Sequence, residues 1–199
     1  RMFGWEPPQF AHLPLLRNPD RSKISKRYNH TSLHWYRDEG FLPEALLNFL
    51  ALLGWSHPEE KEIFGLEELI AQFSFARFNT TGPVFDLDKL RWMNGVYLRE
   101  LPISELYART EPFLIRAGLL QAHPTAAERD FAQRGVALEQ EKVRTLSEFP
   151  DRIGFLFDPN FDFDGKAVKK WLRPAPEHVR PAFSALVECI APLEERALT

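Results

Sequence analysis

The chain has 199 residues and a formal net charge of −3, with 44% hydrophobic and 27% charged residues. This composition is typical of a soluble globular protein that buries its core in one or two domains. No apolar run approaches the ~20 residues that a membrane span requires. A single cysteine, Cys189, excludes an internal disulfide, so we expect a cytoplasmic protein.

The first predicted element is a short extended run from Phe10 to Leu16. A turn follows at Asn18-Pro19-Asp20-Arg21-Ser22, and it leads into Lys23-Ile24-Ser25-Lys26-Arg27. This loop places two ammonium groups close together in a short segment. Such a pair suits a polyphosphate, although the pattern alone is weak because average composition produces it by chance in roughly one chain in twenty of this length.

Helical patterns account for most of the remaining chain. Apolar residues at intervals of three and four predict a helix from Leu42 to Gly54, with Pro43 in its first turn. Further helices are predicted at Leu66–Phe73, from Asp86 to near Gly95, at Ser104–Ala117 with a kink or break at Pro112, from Thr125 and from Thr145 by capping boxes, at Ala167–Leu172 and at Glu177–Ile190. Since strand signals are sparse beyond Phe10 to Leu16, we predict a mainly α protein.

Three separated segments carry a family resemblance. They are Lys23-Ile24-Ser25-Lys26-Arg27, the segment Gly40-Phe41-Leu42-Pro43-Glu44-Ala45-Leu46, and the segment from Gly82-Pro83-Val84-Phe85-Asp86 through Trp92-Met93-Asn94-Gly95. In this order they resemble the C-terminal portion of a bacterial-type glutamyl-tRNA synthetase, a class I aminoacyl-tRNA synthetase. The second signature of that class reads Lys-Met-Ser-Lys-Ser, or often Lys-(Leu/Ile)-Ser-Lys-Arg in this family. The likeness is sharp up to about Asn94 and looser beyond.

The resemblance implies a domain organisation. Residues 1–28 would end the catalytic domain and carry the lysine loop, residues 29–120 would form a helical stem-contact domain, and residues 121–199 would be part of a helical anticodon-binding domain. The Rossmann catalytic domain would be mostly absent. A helical C-terminal half favours the glutamyl branch over glutaminyl relatives with β-barrel anticodon domains. It also disfavours the short paralogue that modifies queuosine, which lacks an anticodon-binding extension.

The same resemblance implies an activity. The full-length parent would activate glutamate with ATP, together with Mg²⁺, and transfer it from glutamyl-adenylate to the 3′ end of tRNA(Glu). Lys26 would bind the ATP phosphates, Lys23 would assist, and the Ser25 hydroxyl would support the geometry. The His-x-Gly-His motif of the class does not occur between Arg1 and Thr199. We therefore expect a C-terminal fragment that is inactive by itself, from a parent that is a monomer.

Basic side chains provide the expected RNA contacts, namely Arg27, Lys89, Arg91 and Arg99. Such residues position an RNA through its phosphates, although those on a helix have an exposed solvated face as an equal alternative. Four aromatic residues are candidates for base stacking but are more typical of a core: Trp35, Trp55, Phe85 and Trp92. Residues 140–144 align loosely with the anticodon-facing helix of the family.

The sequence also bears on two other classes of function, metal binding and non-enzymatic interaction. No metal site is expected, because the six histidines do not combine with Cys189 into a ligand spacing and only His30 and His34 share a helical separation. The carboxylates Asp158, Asp162 and Asp164 depart from a calcium loop and are interpreted as a turn. The main alternative is a non-enzymatic helical interaction module, in which Ser22–Arg27 is a basic surface for an acidic partner.

Overall fold

The protein is described by a computed structural model, which covers residues 4, 10, 12, 14–24, 32–79, 81–158, 160, 165–172 and 181–185. Its contacts divide the chain into two compact units, Arg1–Phe157 and Asp158–Thr199. Helices dominate the described residues and no strand ladder occurs among them, so the predicted mainly α class is confirmed. The predicted domain boundaries at residues 28 and 120 remain predictions.

Eight α-helices follow one another in the described residues between Leu33 and Ala167. They are α1 (Leu33–Asp38), α2 (Pro43–Gly54), α3 (Leu66–Gln72), α4 (Leu87–Glu100), α5 (Ile103–Arg116), α6 (Ala126–Glu139), α7 (Phe149–Ile153) and α8 (Gly165–Ala167). Short 3₁₀ turns lie at Phe75–Arg77, Leu146–Glu148 and Gly154–Leu156, and a π-helical turn at Val168–Leu172 continues α8. Residues 181–185 are also helical. None of the helices in these described ranges has the length and apolar content needed to cross a membrane.

Helices α2 and α6 begin where local signals place them. Pro43 occupies the first turn of α2, where its missing N–H costs no hydrogen bond. At α6, Thr125 and Glu128 form the predicted capping box, with the Glu128 amide donating to the Thr125 hydroxyl at 3.2 Å and the Thr125 amide donating to the Glu128 carboxylate at 2.7 Å. The Thr125 N–H, followed by the Thr125 hydroxyl, which donates to the same carboxylate at 2.8 Å, holds the pKa of the Glu128 carboxyl below its usual range.

The second predicted capping box is wrong. The Thr145 hydroxyl lies 3.0 Å from Ser147 Oγ, and the Glu148 carboxylate accepts from the Arg144 N–H at 3.3 Å. A helical segment does start after Thr145, but it begins as a 3₁₀ turn. The Thr145 and Glu148 side chains therefore bond to Ser147 and Arg144, and they do not form the reciprocal bonds of a capping box.

Two predicted interruptions do not divide their helices. Helix α4 begins after its Asp86 cap as predicted, but it continues through Gly95 to Glu100. Helix α5 likewise continues across Pro112, so of the two predicted alternatives, a kink or a break, the break does not occur. It ends at Arg116, next to the predicted end at Ala117, where Gly118 adopts a left-handed φ of 76° and its N–H donates to the Ile115 carbonyl at 3.0 Å.

The predicted extended run at Phe10–Leu16 is also wrong as a strand. The described residues of that run belong to no ladder, and pairing starts only at Arg17, which makes isolated bridges to Lys23 and Val84. Pro14 lacks an N–H for a ladder, and no neighbouring strand lies beside the run within the described ranges. An extended backbone with no partner does not become a sheet.

Two hydrophobic clusters form the interior of the first unit. One joins α1, α2 and α4 through buried side chains that include Tyr36, Phe49, Leu90 and Met93. The other packs α5, α6 and α7 together through Leu106, Leu114, Val136, Phe149 and Ile153. It also includes Leu42 at the N-terminal cap of α2, Ala45 on α2 and Leu98 on α4. Helices α2 and α4 thus contribute to both clusters.

Candidate functional site

Lys23 stands at the end of a tight hairpin. The Asn18 N–H donates to the Ser22 carbonyl at 2.9 Å, and the Arg21 N–H donates to the Asn18 carbonyl at 2.8 Å. Arg21 adopts a left-handed φ of 65°, a conformation that favours glycine or asparagine. The closed turn brings Lys23 opposite Arg17 in an antiparallel bridge.

Side chains within the hairpin satisfy one another. Asn18 Nδ2 donates to Ser22 Oγ at 2.9 Å, and the Ser22 N–H donates to Asp20 Oδ1 at 2.8 Å. The Ser22 hydroxyl, followed by the Ser22 N–H, holds the pKa of the Asp20 carboxyl below its usual range. The Asp20 carboxylate is therefore engaged by Ser22, and Lys23 makes no ion pair within the described part of the chain.

The hairpin borders a cavity of about 920 Å³. Asn18, Ser22 and Lys23 contribute to its polar wall, whereas Tyr36, Leu46 and Phe85 belong to its apolar wall on the helical side. This volume lies in the range of small-molecule sites. Ser25, Lys26 and Arg27, predicted to complete the phosphate site, lie outside the described residues.

Arg17 links Lys23, in the first segment of the family resemblance, to the third segment, because it bridges both Lys23 and Val84. The Arg17 N–H donates to the Pro83 carbonyl at 2.9 Å, and the Phe85 N–H donates to the Arg17 carbonyl at 2.8 Å. A Cβ on Gly82 would stand 3.2 Å from Arg17 Nε. The lysine hairpin is thus attached by its backbone to the segment that leads into α4.

The three basic residues predicted on α4 have different surroundings. Lys89 forms an ion pair with Glu62, and Arg91 Nη1 lies 3.3 Å from Asp88 Oδ1. Arg99 makes no ion pair among the described residues, and its guanidinium lies beside Gly95. Phosphate contacts through Lys89 or Arg91 would therefore compete with a neighbouring carboxylate, whereas Arg99 has no such competitor there.

The four candidate stacking aromatics divide between core and surface. Trp55 is 1% exposed, and Phe85 packs edge-to-face on Phe49 with ring centroids 5.1 Å apart. Trp35 is half-buried and packs against Phe41. Trp92, on α4, is 43% exposed, so its ring is the most open of the four.

Residues 140–144 form a turn after α6, and their loose alignment with the anticodon-facing helix of the family stays a prediction. Gln140 Nε2 donates to the carbonyls of Leu98 and Leu101 at 2.9 Å each, and to that of Arg99 at 3.3 Å. Its amide thereby caps the C-terminal end of α4, where carbonyls lack helical partners. Val143 is fully buried.

Asn94 is a key residue that sequence reasoning did not single out. It is fully buried on α4; its Oδ1 accepts from the Leu42 N–H at 2.7 Å, and its Nδ2 donates to the Arg144 carbonyl at 2.6 Å. The only sequence signal is its place in the third resemblance segment, next to a glycine. Neither residue carries a group suited to phosphate chemistry.

One group of potential metal ligands comes together in space, formed by His57, Glu59 and Glu68. The Glu59 N–H donates to His57 Nδ1 at 3.1 Å, so the ring proton sits on Nε2, 3.2 Å from Glu68 Oε1 but outside hydrogen-bond geometry. Lys61 Nζ lies 2.9 Å from Glu59 and 2.7 Å from Glu68, and it holds the pKa of both carboxyls below their usual range. Both carboxylates are therefore already paired with the Lys61 ammonium, which an ion would have to displace.

The turn predicted at Asp158, Asp162 and Asp164 lies partly within the described residues. The Asn160 N–H donates to Asp158 Oδ1 at 2.8 Å, which is the contact of a turn. Asp162 and Asp164 lie outside the described residues, as do His30 and Cys189.

Comparisons with known proteins identify both halves of the chain. Residues 1–92 match the family model of the catalytic domain of class I tRNA synthetases (E and Q), and residues 105–197 match that of an anticodon binding domain. The glutamate–tRNA ligase of Thermus thermophilus is 51% identical over 171 residues, which are 85% of this chain and 36% of that protein. That of Acidothermus cellulolyticus is 44% identical over 187 residues, which are 92% of this chain and 37% of that protein.

Solved structures of glutamate–tRNA ligases also match most of this chain. A glutamate–tRNA ligase from Elizabethkingia meningosepticum, crystallised with its amino acid, matches 94% of this chain and 39% of its own with a TM-score of 0.74 and 27% identity. The enzyme from Elizabethkingia anophelis matches 84% of this chain and 36% of its own with a TM-score of 0.70 and 28% identity. The chain spans about a third of the length of the curated relatives it matches. By these matches, the chain belongs to the glutamate–tRNA ligase family of class I aminoacyl-tRNA synthetases.

Proposed function

We propose that this chain is part of a glutamate–tRNA ligase, which activates glutamate with ATP to glutamyl-adenylate and transfers it to the 3′ end of tRNA(Glu). The observation that carries the proposal is the order of the two family matches: a catalytic-domain match that contains the lysine loop precedes an anticodon-binding match. A helical interaction module with a basic loop would not require this order. The proposed parent is a cytoplasmic monomer.

The proposed role of the lysines follows from the chemistry of activation. The glutamate carboxylate attacks the α-phosphorus of ATP, the bond to the bridging oxygen breaks, and pyrophosphate leaves with the negative charge. Ammonium groups fixed beside the departing phosphates stabilise the transition state more than the ground state. We assign this role to Lys26, with assistance from Lys23 and support of the loop geometry from the Ser25 hydroxyl.

The described half of the hairpin supports this role for Lys23. Its backbone is tied to Arg17 and, through Arg17, to residues 83–85. Asp20, the nearest carboxylate along the chain, is engaged by Ser22 and does not neutralise the lysine. The ammonium charge therefore remains available to a nucleotide at the wall of the cavity.

Mg²⁺ belongs to the proposal as the cation that accompanies ATP. The hairpin offers one carboxylate, Asp20, and its oxygen is already used by Ser22. The residues present thus fit a metal that arrives on the nucleotide better than one held by the hairpin. The metal would neutralise phosphate charge, and the contribution of this chain is the lysine charge.

The proposed RNA partner is tRNA(Glu), contacted through phosphates by Arg27, Lys89, Arg91 and Arg99. Each neutralised phosphate steepens the dependence of affinity on salt. Arg99 is the preferred contact on α4, since Lys89 and Arg91 would have to leave Glu62 and Asp88.

ATP–pyrophosphate exchange by the full-length protein tests the proposal. Lys26→Ala is expected to slow exchange by roughly a hundredfold, the effect of removing one positioned charge, and Lys23→Ala by less. Lys61→Ala is the matched control, because this lysine is paired with Glu59 and Glu68 far from the hairpin in sequence. The isolated chain is expected to give no exchange. Full-length protein that neither exchanges pyrophosphate nor charges tRNA(Glu) would contradict the proposal and favour the interaction module.

A further inference from the structure

Two of the three resemblance segments contain residues that neither ATP chemistry nor phosphate binding explains. Gly40 lies in the second segment, and Asn94 and Gly95 lie in the third. All three are buried, and all three meet the same stretch of chain, residues 140–147. We call this contact the joint, formed by Gly40, Leu42, Asn94 and Gly95 with residues 140–147.

Asn94 connects three parts of the joint through one side chain. Its carbonyl oxygen accepts from the N–H of Leu42, the residue that precedes α2, at 2.7 Å, and its amide donates to the carbonyl of Arg144 at 2.6 Å. Because Asn94 is fully buried, water cannot replace either bond. Only a side chain with both a donor and an acceptor at this length satisfies both backbone groups.

The glycines of the joint allow the backbones to approach each other. A Cβ on Gly40 would stand 2.7 Å from the backbone nitrogens of Leu146 and Ser147, and its φ of 79° is left-handed. The Leu146 N–H donates to the Gly40 carbonyl at 3.0 Å, and Ser147 Oγ donates to that of Glu39 at 2.8 Å. At Gly95, a Cβ would stand 3.4 Å from the Val143 carbonyl oxygen.

Gln140 closes the joint from the opposite side. Its amide binds three carbonyls at the C-terminal end of α4, so α4 is held at Asn94 in its middle and at Leu98–Leu101 near its end. Two fixed points on one helix prevent both sliding and rotation of residues 140–147 against it. The contact is therefore a rigid connection, unlike a flexible linker.

The joint connects the two halves that the family comparisons separate. Gly40 lies within the catalytic-domain match, at residues 1–92, whereas residues 140–147 lie within the anticodon-binding match, at 105–197. A rigid connection lets binding energy gained at the anticodon end position the RNA for reaction at the other end, and it then increases kcat. A flexible connection would raise affinity without aligning the reacting groups.

We propose that Asn94, supported by Gly40, Gly95 and Gln140, is a positioning residue that couples anticodon recognition to the charging reaction. The inference rests on the proposed function of the chain as part of a glutamate–tRNA ligase. Asn94 touches neither nucleotide nor amino acid in this account; it acts by fixing residues 140–147 against α4.

The test compares two RNAs charged by the full-length protein: cognate tRNA(Glu) and the same tRNA with its middle anticodon base replaced. The readout is the ratio of their kcat/KM values, together with kcat for the cognate RNA. Asn94→Ala is expected to lower kcat for the cognate RNA by about tenfold to a hundredfold, as a misplaced reacting end would. The ratio should fall by a similar factor, because the altered RNA gains little from the coupling in the wild-type protein.

Two further variants keep the test decisive. Gln140→Ala removes an amide that is only half-buried, so this variant should still fold even if Asn94→Ala does not. Its ratio of kcat/KM values for the two RNAs is expected to fall, as in Asn94→Ala. Thr110→Val is the matched control: Thr110 is fully buried like Asn94, but its hydroxyl donates to the Leu106 carbonyl within α5 at 2.8 Å. Its ratio is expected to equal that of the wild type.

Each outcome decides the inference. An equal loss on both RNAs, with the ratio unchanged in Asn94→Ala and Gln140→Ala, would reduce the joint to a stabilising contact and overturn it. Unchanged charging of both RNAs would overturn it as well. If the wild-type protein fails to charge cognate tRNA(Glu), the proposed function itself fails, and that result is distinguishable from the others.

Discussion

The lysine hairpin and the joint hold their key residues in opposite ways. In the hairpin, Lys23 is exposed and is held by backbone pairing with Arg17, while the turn beside it includes a left-handed Arg21. In the joint, Asn94 is fully buried and both of its amide functions are bonded to backbone more than forty residues away. Lys23 and Asn94 both lie in segments that carry the family resemblance.

This difference separates two reasons for a residue to matter. A group that meets a charged nucleotide must remain exposed and unpaired, so it contributes little to folding. A group that fixes one part of a protein against another must be buried and fully bonded, and its removal costs stability. Substitutions in the joint should therefore change the free energy of unfolding, whereas those in the hairpin should change chemistry.

The largest effect is expected from Gly40→Ala. The new methyl group would meet Leu146 and Ser147 at 2.7 Å and would also have to adopt a left-handed φ, so we expect a loss of about 2–5 kcal/mol in the free energy of unfolding. Gly118→Ala is the matched control, with a φ of 76° but no atom within 4 Å of the new Cβ. Denaturant unfolding checks both, and equal losses would show that the close approach at Gly40 has no energetic weight.

Asn94→Ala should have the next largest effect on stability. It leaves the Leu42 N–H and the Arg144 carbonyl without a partner, and we expect a loss of about 2–4 kcal/mol. Thr110→Val, which removes one buried hydroxyl bonded within its own helix, is expected to cost about 1 kcal/mol. Comparable losses in the two variants, measured by denaturant unfolding, would contradict the claim that the two long-range hydrogen bonds of Asn94 stabilise the fold more than the bond of Thr110 within its own helix.

In the hairpin, Arg21→Gly should stabilise the turn. Glycine adopts the left-handed conformation without the cost that arginine incurs, which is about 1 kcal/mol. The Asn18 amide, which donates to the Ser22 carbonyl, should then exchange its proton about fivefold more slowly. Arg21→Val is the contrasting variant, since a β-branched residue is poorly suited to this conformation. Faster exchange in the glycine variant would contradict the assignment of strain to Arg21.

The free energy of unfolding is expected to depend slightly on pH through the ion pair of Glu44 on α2 with Arg109 on α5. Arg109 donates to both carboxylate oxygens of Glu44, at 3.1 and 2.9 Å, and this holds the pKa of the Glu44 carboxyl below its usual range. A lowered pKa stabilises the fold above the unfolded value of about 4.3, and the stabilisation is lost as pH falls through the folded value. Since the pair is partly exposed, we expect no more than about 1 kcal/mol.

Unfolding free energies at pH 7 and pH 3 measure this contribution. The difference between the two should shrink in Arg109→Met, which keeps an apolar side chain of similar length but cannot bind Glu44. The exposed pair of Arg134 with Asp130 on α6 provides the control, since Arg134→Met should leave the difference almost unchanged. An identical pH dependence in wild type and Arg109→Met would contradict the role of the pair.

The elements that could be predicted from sequence depend on short-range signals. Pro43 at the start of α2 and the Thr125 capping box at α6 act within one helical turn, so they remain valid in any fold. The lysine loop was also predicted, because its residues are contiguous and resemble a family signature. Of that loop, the structure describes Lys23 and Ile24, and the function of the loop remains a proposal.

The joint could not be predicted because its partners are distant along the chain. Gly95 indicates the end of a helix, yet α4 continues to Glu100. The glycine instead allows Val143 and Arg144 to approach the helix closely. Gln140 and Asn94 are polar residues whose bonds reach across 39 to 52 positions. No local pattern indicates that such a residue is buried and bonded to a remote backbone.

The most direct test of the central claim is the rate at which the full-length protein charges tRNA(Glu) when Lys23 and Lys26 are both replaced by alanine. We predict a rate at least about a hundredfold below that of the wild type, with unchanged thermal unfolding, because these lysines serve chemistry and not folding. Charging at the wild-type rate by this double variant would contradict the account.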